Sequence, residues 1–148
     1  MKKIIFSMLS AAICQFATAA DVTVEITGND QMQFNIKAFE VTEGDKVKIS
    51  FKHIGQLPVV AMGHNVVIVK PGTELPMFSM KCGTAKDNSY IPEDAESKAL
   101  IVAHTKLLGG GESDTITFTA PAAGEYPYLC SFPGHFAIMQ GVMTVKAK

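Results

Sequence analysis

The chain has 148 residues, 47% of them hydrophobic, and a formal net charge of -1, enough material for one domain with a proper core. All thirteen basic residues are lysine and they form no cluster, so nucleic-acid binding has nothing to rest on.

Lys2 and Lys3 are followed by an apolar run from Ile4 to Phe16 and then by Ala17-Thr18-Ala19, an A-x-A cleavage pattern. Residues 1–19 therefore read as a secretory signal peptide. A membrane-spanning helix would need ~20 apolar residues with flanking anchors, and this run is shorter and ends at a processing site. Cys14 does not make a lipobox, because Ile13 is bulky where a small residue is wanted. A single domain over residues 20–148 is expected to remain, in the bacterial periplasm, and loss of Lys2 and Lys3 takes its net charge from -1 to -3.

Along that domain, apolar alternation with a period of two predicts short strands at 22–26, 32–36, 46–51, 66–69, 100–103, 115–119, 126–129 and 142–145. Glycine, proline, Asn-Asp and Gly-Asp punctuation separates them, without the long helical intervals of a parallel α/β sheet. An all-β Greek-key β-sandwich follows. Residues 71–97 do not alternate and carry several prolines, so they are expected to form a flap outside the sheets, with room for a short helix.

One loop carries most of the chemistry. Cys130-Ser131-Phe132-Pro133-Gly134-His135-Phe136-Ala137-Ile138-Met139 places a thiolate, an imidazole and a thioether between two predicted strands, and Gly63-His64 is the candidate to complete the set from upstream. Two histidines and a cysteine in a plane, with a weakly bound axial methionine, form an electron-transfer copper pattern. Cu(I) favours soft sulfur and Cu(II) favours nitrogen, so a mixed plane is a compromise that both oxidation states tolerate. Binding requires a deprotonated thiol and neutral imidazoles, so uptake of the ion releases a proton. Met143 competes with Met139 for the axial place, but its phase with Val145 in a strand suits a core face.

The Cys-x4-His-x3-Met spacing, Met62-Gly63-His64-Asn65, Gly28 to Asn35, Leu57-Pro58 and Ala103-His104-Thr105-Lys106-Leu107 together resemble the azurins, blue copper proteins of the cupredoxin family. Plastocyanin, pseudoazurin and amicyanin share the ligand set with other spacings. The resemblance implies a cupredoxin-like sandwich and one copper ion cycling between Cu(I) and Cu(II). His64, Cys130 and His135 would be equatorial ligands, Met139 a long axial one, and the Gly63 carbonyl would lie opposite it. It also implies that Asn65 pins the two ligand loops together. An apolar collar of Met32, Leu57, Met62, Phe132, Pro133, Gly134, Phe136, Ala137 and Ile138 would surround His135 as a docking surface. The implied partners are redox proteins such as c-type cytochromes or a periplasmic reductase, engaged by a monomer. His53 resembles a partly enclosed histidine near the site, and His104 a surface one.

The chain departs from the azurin pattern in two respects. Val22 and the Gly44-Asp45 turn stand where azurins typically carry paired cysteines, so a cross-link often worth ~2–4 kcal/mol is missing. Val66 occupies a core position commonly held by tryptophan, and the chain has no tryptophan. Cys82, in the flap, is left as a free or partly buried thiol, or as a surface thiol that could link two molecules.

Three other classes fit less well. A cysteine hydrolase would pair Cys130 with a histidine base, but no oxyanion loop is evident. A nitrite reductase of the copper type needs a second histidine-rich site, and only His53 and His104 remain. A copper-storage or chaperone protein is the stronger alternative, although chaperones favour exposed, exchangeable ligands.

Overall fold

A computed structural model describes residues 18–148, so the expected leader lies, apart from Thr18 and Ala19, outside the described residues. Nine strands form two sheets. The first holds β1 (Asp21–Asn29), β2 (Gln33–Phe34), β4 (Lys46–His53) and β7 (Ser113–Thr119), in the order β2-β1-β4-β7. The second holds β3 (Ala38–Thr42), β5 (Val67–Val69), β6 (Ile101–His104), β8 (Gly124–Leu129) and β9 (Gln140–Lys146), in the order β3-β9-β8-β5-β6. The β-sandwich is as the alternation predicts. Two pairings, β1 with β4 and β3 with β9, are parallel.

Period-two burial builds the interior directly. Val47, Ile49, Phe51 and His53 are the inward residues of β4, and all four are fully buried. On β8, Tyr126 and Tyr128 point inward, and Cys130 continues their row one residue beyond the strand. Phe34, Phe51 and Tyr128 meet at ring distances of 5.6–6.1 Å in the middle. Val66 sits fully buried in the same core.

Three local expectations change. The predicted strand at 32–36 shrinks to two residues, because the chain turns at Met32, whose φ is +56. An unpredicted strand, β3, uses the alternation of Phe39 and Val41 to pair with β9. After the one-turn α1 (Val59–Met62), the flap holds α2 (Leu75–Thr84), a 3-10 turn (Lys86–Asn88) and the start of α3 (Ala95–Leu100), more helix than one short piece. Pro76 does not prevent α2, since it sits in the first turn, where its missing N–H is not needed.

The flap covers the outer face of the second sheet. Phe78, Cys82 and Ile91 pack there on Val67, Val69 and Leu129, forming a second apolar cluster. All of β5 is therefore buried, inward through Ile68 and outward through its valines. Cys82 is fully buried and unbridged, which overturns its reading as a surface thiol able to link two molecules.

Where the paired cysteines are missing, hydrogen bonds close the turn. The buried Asp45 carboxylate accepts from the backbone N–H groups of Ala20 (2.9 Å) and Thr42 (2.8 Å). These contacts hold its carboxyl below the usual range, the Ala20 bond contributing most.

Candidate metal centre

Strand register assembles the centre. β5 and β8 are antiparallel, with Val67 opposite Leu129. Two residues further on, that register brings Asn65 beside Ser131, one residue past His64 and one past Cys130. The pair is locked by reciprocal bonds: the Ser131 N–H donates to Asn65 Oδ1 and Asn65 Nδ2 donates to Ser131 Oγ, each at 2.8 Å. All of this is buried. The expected pin between the two ligand loops is present, and Ser131 is its second half.

His64, Cys130 and His135 converge, their donor atoms all within 4.8 Å of one another. Cys130 Sγ lies 3.8 Å from His64 Nδ1 and 3.6 Å from His135 Nδ1. Bonds of about 2.3 Å to sulfur and 2.0–2.1 Å to nitrogen, spread around one ion at trigonal angles, would space sulfur and nitrogen by about 3.8 Å. Both sulfur–nitrogen distances thus already match what one shared ion requires. Exposures of 0% for His64 and Cys130 and 4% for His135 mark an enclosed site.

His64 and Cys130 are each oriented by a partner outside the set. His64 Nε2 donates to the Asn29 carbonyl at 2.8 Å, which leaves Nδ1 without a proton and free to bind a metal. The backbone of His64 is held by a two-way bridge to Leu108. Burial lowers the pKa of His64, partly offset by the Asn29 bond, and lowers that of His135 to about 4, with the neighbouring histidines adding to the effect. Both rings are therefore neutral near pH 7. Burial pushes the Cys130 thiol up to about 12, against the backbone N–H groups of Asn65 and Phe132 that favour the thiolate. Without a metal the S–H donates to the Gly63 carbonyl at 3.7 Å.

Gly63 has no room for a side chain, and Gly28 has little. A Cβ on Gly63 would come within 2.7 Å of the Val59 carbonyl and 2.9 Å of the Phe132 ring. One on Gly28 would meet the Met139 methyl at 2.8 Å and the His64 ring at 3.2 Å. The Met139 methyl and the His64 ring thus both border the space that Gly28 leaves, and both residues are fully buried. Its backbone closes the loop: Met139 N–H donates to the His135 carbonyl (2.8 Å) and its own carbonyl accepts from Cys130 N–H (3.0 Å). Met143 is also buried, on the core face of β9 as its phase predicts.

His53 is wholly rather than partly enclosed, stacked on His64 at 4.3 Å between ring centroids. It accepts from Gly55 N–H at Nδ1 and donates from Nε2 to the Met62 carbonyl, so both nitrogens are committed to the fold. His104 is exposed, as expected. Sequence reading did not single out Gly28, Asn29 or Ser131 for the centre. Of these only Ser131, adjacent to Cys130, carried a local signal.

Of the residues expected to surround His135, Leu57, Pro133, Gly134, Ala137 and Ile138 are exposed, while Met32, Met62 and Phe132 are half-buried. Phe136 differs from expectation by leaning into the flap's apolar cluster. His135 keeps 4% of its surface exposed, beside the half-buried Phe132.

Residues 20–146 match the family described as copper binding proteins, plastocyanin/azurin family. The chain belongs to that family. It is 43% identical over 130 residues to Azurin-1 of Alcaligenes xylosoxydans xylosoxydans, covering 85% of this chain and 98% of that protein. It is 41% identical over 141 residues to the azurin of Bordetella pertussis, covering 93% and 92%. Among solved structures, the dithionite-reduced auracyanin of Roseiflexus castenholzii superposes with a TM-score of 0.75 at 38% identity, covering 86% of this chain and 98% of that one. A soft thiolate with two imidazoles in an enclosed pocket suits copper, the family's metal, and His64, Cys130 and His135 are placed to bind one ion of it.

Proposed function

We propose that this family member shuttles single electrons in the periplasm through a mononuclear type 1 copper centre. His64, Cys130 and His135 would hold the ion, with Met139 and the Gly63 carbonyl as the further donors. The observation carrying this reading is that three donors from two loops, fully or almost fully buried, already sit at metal-binding separations. Bound there, copper supplies a one-electron couple. The protein's part is to hold the donors fixed: Asn29 orients His64, the Asn65–Ser131 pair locks the loops, and the Met139 backbone, bonded to Cys130 and His135, closes the ligand loop. Little needs to move when an electron arrives or leaves.

Electrons pass through the exposed edge of His135 within its apolar collar, where small, quickly dissociating contacts suit a shuttle. The partners are redox proteins such as c-type cytochromes or a periplasmic reductase. The leader over residues 1–19 is removed, leaving residues 20–148 as the working domain, and the start of the family match at residue 20 supports that boundary. No helix among the described residues is long and apolar enough to cross a membrane. The enclosed donors disfavour the storage or chaperone alternative, which needs exchangeable ligands.

The test is the visible spectrum after adding Cu(II) to the mature protein. Intense sulfur-to-copper charge transfer toward the red is expected, Cys130→Ser abolishes it, and Met139→Leu keeps it while raising the potential. Pale, quickly lost copper would refute the shuttle. Loss of all copper binding in Met139→Leu would refute the axial assignment.

A further inference from the structure

With all three donors enclosed, an ion cannot reach the pocket unless part of its wall moves. The outermost donor is His135, and its ring leans on Phe132 with centroids 4.7 Å apart and planes inclined by 37°. Tyr90, from the flap, meets the Phe132 ring edge-on at 5.1 Å and 65°. Phe132 is only half-buried, and a groove of about 310 Å³ lined by Val59, Val60, Lys86, Ser89, Tyr90 and Leu107 opens beside it. The Phe132 ring therefore has room to swing on that side, and Tyr90 is what stands in its way.

Tyr90 is held there against local preference. Ser89 and Tyr90 are consecutive non-glycine residues in the left-handed region, at φ +52 and +63. Such a pair is disfavoured and persists only where its surroundings over-determine it. Here Ser89 N–H donates to the Lys86 carbonyl, Tyr90 N–H to the Ala85 carbonyl and Asn88 Nδ2 to the Ile91 carbonyl. Next in the chain, Ile91 packs with Phe78 and Cys82 on Val67, Val69 and Leu129. The strained turn is thus anchored to β5 and β8, the two strands that adjoin the ligand segments.

Building on the copper-centre reading above, we propose that Tyr90 is a positioning residue. Acting through Phe132, it holds the His135 ring in its binding orientation, and the flap thereby sets how fast the metal enters and leaves.

Tyr90→Leu and Tyr90→Phe are compared with the unaltered mature protein in two measurements. In the metal-free protein, hydrogen exchange is followed at the amides of His135 and Met139, which are bonded within the loop, and at Ile49 in the sandwich. Tyr90→Leu should speed exchange at the two loop amides by roughly three- to ten-fold, the range to which one aromatic pair converts, and leave Ile49 unchanged. Stopped-flow uptake of Cu(II) should quicken by a similar factor. Tyr90→Phe, which keeps the ring edge, should match the unaltered protein in both. The inference is overturned if Tyr90→Leu leaves loop exchange and uptake unchanged, or if Ile49 accelerates by the same factor as the loop. Should the unaltered protein take up no Cu(II), the metal-centre reading falls, while loop exchange still decides whether Tyr90 positions His135.

Discussion

Asn65→Ala tests whether the centre is set by the fold before metal arrives. The substitution removes two buried bonds of 2.8 Å and leaves the Ser131 N–H and hydroxyl without their partners. Each such loss costs about 1–3 kcal/mol, and because the two share one partner their joint cost is about 2–4 kcal/mol. With a urea m-value of about 1.5–2 kcal/mol/M, the unfolding midpoint of the metal-free protein should drop by about 1–2 M. Ser131→Ala gives up only the hydroxyl bond and should cost about 1 kcal/mol. Since Asn65 is the partner of that hydroxyl, the double variant should be no more than about 0.5 kcal/mol worse than Asn65→Ala alone. A midpoint change below about 0.3 M in Asn65→Ala, or full additivity in the double variant, would refute the claim that this pair ties the loops.

Acid should destabilise the metal-free protein through its buried rings. The folded state holds His64 and His135 below the ordinary value of 6.5, His135 at about 4, so the unfolded chain binds more protons between those pH values. Stability is full above about pH 6.5 and falls toward pH 4 by up to about 1.4 kcal/mol per unit for His135, with His64 acting in the same direction; urea midpoints equal at pH 7 and pH 5 would contradict this. Because burial keeps the Cys130 thiol protonated, with its pKa at about 12, metal uptake at pH 7 should release about one proton per ion. Calorimetry in two buffers of different ionisation enthalpy measures that number, and a value near zero would mean that the thiol does not bind. Cys82, buried with its thiol also pushed to about 12, should resist alkylation in the folded protein. Cys82→Ser should cost about 1–3 kcal/mol for an unpartnered hydroxyl, more than Cys82→Ala, as thermal or urea unfolding of the two variants would show.

Much of the centre was legible because its donors are side chains in tight local spacing: Cys130 and His135 share one loop, and alternation in β8 predicts that Cys130 faces inward. The sandwich was legible for the same reason, since period two survives wherever one face meets the core. Contributions made by the backbone leave no such trace. Asn29 acts through its carbonyl and Gly28 through a missing Cβ, and both depend on β1 lying beside β4, a long-range parallel pairing. The flap helix was obscured because only Phe78 and Cys82 of α2 are buried, while Met77 and Met80 face out, so no apolar stripe marks it. β3 was missed because two apolar residues, Phe39 and Val41, are too short a pattern to separate from a loop.

His64 has a mechanical role beyond its chemistry. Its ring is tethered through Asn29 to the end of β1 in one sheet, while Asn65, the next residue, is fastened to Ser131 at the end of β8 in the other. An ion bound between His64 and Cys130 would act as a rivet through both layers at one pole. Prying the layers apart there and releasing the ion would be a single rupture, so a loaded molecule pulled open should show no splayed state that still carries its metal.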